Sequence, residues 1–408
     1  MIAADITLET VASVTDIDAH DWDACATSLC APGLLNATCN GGAEPALSTY
    51  NPFVSHAFFA ALESSQSACR DTGWAPRHLI ARQRGRVVGI VPCYLKSHSL
   101  GEYVFDRGWA DAYHRAGGRY YPKLQVSVPF TPATGPRLLI RGDADGERVS
   151  QALAEGLIAL CEGSRASSVH VTFARECEWR FLAQRGFLQR TDQQFHWHNT
   201  GYACFDDFLA TLASRHRKAI RRERRDAVAN GISIEWLRGT AITEQAWDAF
   251  FAFYMETGSR KWGRPYLTRE FYREIGRTMS DQVLLVMARR NGRYIAGAIN
   301  FIGGDTLFGR HWGAIEHHPF LHFEVCYYQA IDFAIAERLT RVEAGAQGEH
   351  KIARGYLPQT TYSAHYIADP ALRRAVAEYL KQERAYVAAA ARELTEAGPF
   401  RKAAEEPT

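Results

Sequence analysis

No run of eighteen uncharged apolar residues occurs anywhere in this 408-residue chain, so no helix is expected to cross a bilayer. The opening residues MIAADITLETVASV carry Asp5 and Glu9 and lack a basic stretch followed by an apolar one, so no secretory signal is expected. Cys-x-x-Cys spacing is missing too. The nine cysteines (Cys25, Cys30, Cys39, Cys69, Cys93, Cys161, Cys177, Cys204 and Cys326) are odd in number and read as reduced thiols of a cytoplasmic chain. No sign of charge dominates: Lys+Arg 47 against Asp+Glu 45 leaves +2, and attraction to nucleic acid or membrane would need a local patch. Neither a Gly-x-Ser-x-Gly elbow nor a P-loop is present, which removes the serine-hydrolase and NTPase readings. The histidines His311, His317, His318, His322, His350 and His365 show no paired spacing with a carboxylate in helical register, so no metal site is expected.

What is present suits a globular chain of two domains: 47% apolar, 23% charged and 12% aromatic residues over a length too great for one ordinary core. Helices are expected over Asp21–Leu29 and Pro52–Ser64, with a Gly/Pro-punctuated loop between them at Ala31–Leu47. His78–Arg82 and Val87–Leu95 read as a hairpin turning at Gly85; Val283–Ala288 and Ile295–Phe301 read as another turning at Asn291-Gly292. The two hairpins share letters, Ala81-Arg82-x-x-Gly85-Arg86 against Ala288-Arg289-x-x-Gly292-Arg293. Two further matches follow in the same order: Gly101-x3-Phe105-x-Arg107-x-Trp109 with Gly304-x3-Phe308-x-Arg310-x-Trp312, and Arg185-Gly186-Phe187-Leu188 with Arg354-Gly355-Tyr356-Leu357. Three ordered matches argue for a duplicated unit.

Each half then places a helix and a strand: Val149–Cys161 with Val169–Phe173, and Phe323–Arg338 with Arg341–Ala344. Short helices at Glu178–Gln184 and Glu349–Ala353 stop at a glycine. The fold class is therefore α/β with mixed sheets, in two tandem copies. The expected domains are 1–199, carrying an aromatic insertion at 96–136, and 200–398, opened by a basic helix at 206–230 with Asp206 as N-cap. A charged helix, Ala371–Glu396, precedes a tail at 399–408 that is expected to be disordered.

This element order, with Arg-Gly-Phe/Tyr closing each copy, resembles the GNAT acyltransferase core. Two copies with a basic helix opening the second resemble the Fem-type aminoacyltransferases, and more closely the FemAB-like peptidoglycan biosynthesis/recognition family. The residues that carry the match include Asn51-Pro-Phe-x-Ser-His-Ala-Phe58, Gly108-Trp-Ala-Asp-Ala-Tyr113, Gly117-Gly-Arg-Tyr-Tyr-Pro-Lys-Leu-Gln125, Pro129-Phe-Thr-Pro-x-Thr-Gly135 and Glu343-Ala-Gly-Ala-Gln-Gly-Glu-His-Lys351. The resemblance implies a doubled acyltransferase fold with acyl-CoA or aminoacyl-tRNA as donor substrate and no covalently bound cofactor. One departure stands out. Ile315-Glu-His-His-Pro-Phe-Leu-His322, ahead of the second long helix, has no glycine with which to cradle a pyrophosphate.

Three clusters are candidates for chemistry. Arg215, Arg217, Lys218, Arg221, Arg222, Arg224 and Arg225 crowd eleven positions and suit a phosphate-bearing substrate or tRNA; a solvated helix face is the bland alternative. In the insertion, Glu102, Asp106, Asp111, Lys123 and Gln125 alternate with Trp109, Tyr113 and Tyr121, a mixture that suits binding of a sugar or amino-acid-like ligand. A self-packed loop is its alternative. In the second half, Glu343 or Glu349 is the candidate base, His350 a base or electrostatic partner, His311 on the preceding strand a further catalytic candidate, and Tyr356 or Tyr362 the proton donor to the leaving group. Trp312, Gln347 and Lys351 would bind substrate; Glu324 and Tyr328, four apart on one helix face, suit either lining the cleft or, as the bland alternative, packing and capping. The expected function is transfer of an activated acyl or aminoacyl group to an amine, in a cell-wall precursor or an amino-acid-like small molecule. A recognition protein for a phosphorylated or peptidoglycan-like ligand is the alternative, and an RNA-binding module a third.

Overall fold

A computed structural model describes residues 5–27, 50–262, 265–345 and 348–401. The chain divides into two compact units that interleave along the sequence. Unit 1 comprises Met1–Asp192, Tyr266–Glu274 and Thr361–Val387; unit 2 comprises Gln193–Pro265, Ile275–Thr360 and Ala388–Thr408. Of the two early expectations, the helix at 21–29 is seen as Ala19–Ala26, and the loop 31–47 lies outside the described residues. Among the described residues, no helix is long and apolar enough to cross a membrane, and seven cysteines are free thiols.

In unit 1, β1 (Ile6–Val11), β3 (His78–Gln83), β4 (Arg86–Val91) and β7 (Leu139–Ile140) form an antiparallel sheet in the order β1-β3-β4-β7. The helix Gly146–Gly163, capped by the Asp145 carboxylate on the Arg148 N–H, lays Val149, Leu153 and Leu157 on this sheet. Gly89 lets it approach, since a Cβ there would meet Val149 Cγ1 at 2.5 Å. A second sheet runs β2 (Trp74–Pro76), β5 (Cys93–Lys96), β6 (Lys123–Val126), β8 (Ser168–Ala174), with residues 361–367 of β15 (Leu357–Ile367) beyond β8. β6 and β8 are parallel. The strand expected over Val87–Leu95 is broken at Pro92: β4 ends at Val91 and β5 joins the other sheet, because proline has no N–H for a ladder.

In unit 2, residues 193–198 of β9 (Leu188–His198) and five strands form one sheet: β10 (Ile232–Leu237), β11 (Val283–Arg290), β12 (Arg293–Ile302), β13 (Thr306–Ala314) and β14 (Arg341–Glu343). The order is β10-β11-β12-β13-β14-β9, with β13 and β14 parallel. The long helix expected from Phe323 is not uniform. It starts as Leu321–Phe323, widens into a π-turn at Glu324–Tyr328, and returns to α geometry at Gln329–Ala336.

The duplication shows in detail. Both hairpins turn on two left-handed residues, Arg84-Gly85 (φ 53° and 79°) and Asn291-Gly292 (φ 51° and 74°), the signature of a type I′ turn. Both are bulged at the same distance from the turn, between Ala81 and Arg82 and between Ala288 and Arg289. Gly186 and Gly355 (φ 83° and 87°) each end a helical turn and open an eleven-residue strand. The middle match does not hold. Phe308, Arg310 and Trp312 lie on β13, whereas Phe105 precedes the Arg107–Arg115 helix that carries Trp109.

The basic helix is also corrected. It is two helices, Phe205–Thr211 and Ser214–Ala227, with an extended Leu212 between them. The break has a partner: Ala213 N–H donates to Pro399 O at 2.9 Å, and Arg401 N–H to Thr211 O at 3.0 Å. Pro399–Arg401 is therefore ordered, although the tail was expected to start at 399. Asp206 is not the N-cap; Asp207 accepts from the Cys204 N–H and Asp206 from Arg221.

Candidate active site

β13 and β14 run side by side only from Thr306–Phe308 against Arg341–Glu343, and beyond that pairing they part. A bulge in the β12–β13 ladder between Ile299 and Asn300, where the register steps from His311 to Gly309, re-aims the strand at Arg310, where the parting begins. Gly309 sits at the fork; a Cβ there would press on Glu343 O at 3.3 Å. On the other wall, Lys351 Nζ donates to Ala344 O at 2.6 Å and Gly345 O at 3.1 Å, tying the chain that leaves β14.

The parted strands open on two connected spaces. A small inner one of about 100 Å³ is lined by Asn300, Gly309, Arg310, His311, Cys326, Tyr327 and Ala344. A larger one of about 390 Å³ is lined by Tyr254, Thr257, Gly258, Arg310, His311, Trp312, His322, Tyr327, Gly348 and His350. Its polar edge is the pair His350 Nε2 and Tyr327 Oη, 3.0 Å apart. Burial holds the Tyr327 phenol well above its ordinary pKa, so it stays protonated and able to donate.

Glu343, one residue before Ala344, is almost fully buried. Its nearest basic groups stop short of hydrogen bonds: the Arg341 guanidinium Nε at 3.5 Å and Nε2 of His196, a ring that burial keeps neutral, at 3.9 Å. Burial pushes this carboxyl up to about 7, against the pull of Arg341 and Arg310. His311 is pushed down to about 3 by burial and by Arg310, so it is a neutral ring, packed on Tyr254 at 5.0 Å. A group that stays neutral to about pH 3 is too weak a base to drive proton removal at neutral pH.

Behind the cavity the basic helix turns two residues inward. Glu223 accepts from Arg354 Nη2 at 2.8 Å and from the Tyr328 hydroxyl, and Arg354 Nη1 donates to His350 O at 2.7 Å. Arg224 grips Glu324 at 3.0 Å and Asp332 at 2.6 Å. The π-turn and the turn bearing His350 are thus pinned to one helix. The outer face keeps Arg221, Arg222 and Arg225 exposed beside Asp206 and Asp226; Arg217 is half-buried and Lys218 exposed.

The second-half candidates separate accordingly. His311, Trp312 and His350 come together at the cavity; Glu343 is buried outside its lining, one residue before Ala344 of the inner space. Glu349 is exposed on the first position of its turn. Tyr356 is sealed, its hydroxyl donating to Tyr327 O at 3.2 Å, and Tyr362 belongs to unit 1, against Trp179. Lys351 is committed to backbone carbonyls, and burial lowers it to about 8. Gln347 lies outside the described residues. Tyr254, Arg310, His322 and Tyr327 were missed. Only Gly309, a glycine inside a strand, signalled a close approach there.

The insertion candidates in unit 1 meet in a buried lattice. Lys123 Nζ donates to Glu102 Oε2 at 2.6 Å, Asp106 Oδ2 at 2.5 Å and Ser99 Oγ at 2.8 Å. Tyr120 adds its hydroxyl to Asp106 at 2.7 Å, and Gln125 donates to Thr172. Trp109 packs edge-on to His365, while Tyr121 bonds Ser99. Asp111 is exposed on the Arg107–Arg115 helix and Tyr113 half-buried on it.

Comparison with known proteins follows this geometry. No curated protein matches the chain. A solved structure titled FemX is similar at TM-score 0.52 and 12% identity, over 90% of this chain and 100% of that one. A conserved protein of unknown function from Bacteroides thetaiotaomicron gives 0.50 and 10%, over 89% and 100%. A tandem GNAT protein from the clavulanic acid biosynthesis pathway gives 0.45 and 12%, over 90% and 99%. Identities this low speak to fold alone. The family model described as peptidoglycan biosynthesis/recognition matches residues 13–402. With two copies of one unit and the parted strands of an acyltransferase core, the chain belongs to the FemAB-like family and has its double-GNAT fold.

Proposed function

We propose that unit 2 transfers an activated acyl or aminoacyl group to an amine. The observation that carries this reading is the cavity between parted β13 and β14, walled by Arg310, Trp312, Tyr327 and His350, with the buried Glu343 next in sequence to Ala344 of the inner lining. The amine nitrogen attacks the acyl carbonyl carbon and forms a C–N bond. Glu343, through a water, takes one proton from that nitrogen, which its pKa of about 7 allows near neutrality. Arg310 faces the negative charge that builds on the carbonyl oxygen. As the C–O or C–S bond to the leaving group breaks, Tyr327 supplies a proton to it and His350 steadies the phenol. The proton held by Glu343 then returns to Tyr327 through solvent.

The segment before the π-turn offers no pyrophosphate cradle, since Glu316 and Phe320 stand where glycine amides would be needed. Arg217, Lys218 and Arg221 on the basic helix suit a phosphate-bearing part of a substrate, nucleotide-linked precursor or charged tRNA. The family description favours a peptidoglycan precursor as acceptor. The test incubates purified protein with acyl-CoAs and, separately, with charged tRNAs in a pool of amines that includes amino acids and cell-wall precursors. Mass spectrometry should report new amides that E343Q fails to make. Ligand binding without any amide in either arm would leave a recognition protein.

A further inference from the structure

Beside the reaction cavity lies a second space of about 560 Å³, within the range of small-molecule pockets. It shares Thr257, Trp312 and His322 with the reaction cavity, so the two adjoin across the Trp312–His322 ring pair, whose centroids are 5.2 Å apart. Its lining includes an apolar run: Ala314, Ile315, Phe320, Leu321 and Phe323.

Three features say what this space is for. First, the charged groups at its rim are already matched. Glu316 is bound by Arg290 at 3.1 Å, Arg293 at 2.9 Å and His318 at 3.0 Å, and these bonds hold its carboxyl down to about 2. Glu256 is paired with Arg260 at 3.3 Å. A phosphate or an ammonium would have to compete with these pairs. Second, Ile315, 48% exposed at the mouth, carries the apolar lining of Ala314, Phe320 and Leu321 out to the solvent edge. Third, Phe320 is held at φ 62°, a left-handed conformation that costs a bulky aromatic residue energy, and such strain gathers at functional positions.

We infer that this compartment receives the hydrocarbon part of the acyl group, so that unit 2 favours an apolar acyl chain over an acetyl group. The inference rests on the transferase reading for the reaction cavity and deepens it. The carbonyl sits at Arg310 and Tyr327, while its chain runs past Trp312 toward Ile315 and Phe320.

The test uses non-reacting probes, a series of n-alkanamides from two to ten carbons, with binding followed by calorimetry on the full chain. Each added methylene should tighten Kd about three- to four-fold until the compartment is full. Ile315→Asp and Ala314→Arg should flatten that dependence while leaving the shortest probe unchanged, and Ile315 is exposed enough to be replaced without unfolding. A flat series on the wild-type chain overturns the inference, as does a series that the two variants leave unaltered. A length dependence found with n-alkylamines and not with n-alkanamides would assign the space to the acceptor, which also overturns it. Failure of the transferase reading looks different: probes bind with length dependence, yet no donor of any chain length yields an amide.

Discussion

Both units bury ionisable side chains beside a parallel strand pair, and they use them in opposite ways. In unit 1 the parallel neighbour of β8 is β6, a strand supplied by the insertion, and Leu124, Val126, Leu138, Ile140, Val169 and Val171 close together there in one apolar cluster. Lys123 binds one oxygen each of Glu102 and Asp106, and burial alone would drive its pKa down; the two carboxylates reverse that and hold it raised. In unit 2 the parallel neighbour of β14 is β13, from the repeated hairpin, and the two part after three residues. Glu343 there has no cation within hydrogen-bond distance. A buried charge that is met by the protein stabilises; one left underpaired is available to something that arrives.

Lys123→Met strands two buried carboxylates and should lower stability by about 3–5 kcal/mol, read as a fall in the urea midpoint at constant slope. A variant as stable as the parent would show that unit 1's lattice is not structural. Glu343→Gln should cut transfer by about 100-fold or more, the usual scale for a lost general base. It should not destabilise the chain. The folded carboxyl titrates near 7 and the unfolded one near 4.5, so the native state holds the extra proton between those values. Stability therefore falls as pH rises from about 4.5 to 7 and stays lower above it. E343Q should be the more stable protein at pH 8, and the rise of transfer with pH through about 7 should vanish in it.

Smaller effects sharpen the picture. Arg354→Lys loses the two-pronged hold on Glu223 and the bond to His350 O; transfer should drop about ten-fold with little change in substrate KM. An unchanged kcat would mean that the helix does not position the His350 turn. Reversing charge at the outer face with Arg217→Glu and Lys218→Glu should weaken a phosphate-bearing substrate by only a few-fold each, and the loss should fade in high salt. A loss insensitive to ionic strength would point away from phosphate contact.

The hairpins, the long helices and the glycine-closed turns were legible in the sequence because each is a local matter. Two left-handed residues at Arg84-Gly85 or Asn291-Gly292 fix a turn wherever they occur, and Val149, Leu153 and Leu157 mark a helix face by spacing alone. The basic helix was half legible. Its charges were visible, but its break at Leu212 answers to Pro399 and Arg401, nearly two hundred residues away. The fate of the carboxylates was not legible at all. Glu102 and Glu343 are both single acids between uncharged neighbours in the sequence, and both rise to about 7 through burial. Only the packing decides that one is bound by Lys123 and the other is merely approached by Arg341 at 3.5 Å. The pairing of β13 with β14 and its early end likewise depend on a bulge at Arg310 and on the Lys351 tie to Ala344. Periodicity and turn chemistry determined the repeated unit. Which copy is closed and which is open depends on contacts between distant segments, because desolvation and charge pairing are properties of a place in the fold and not of a stretch of chain.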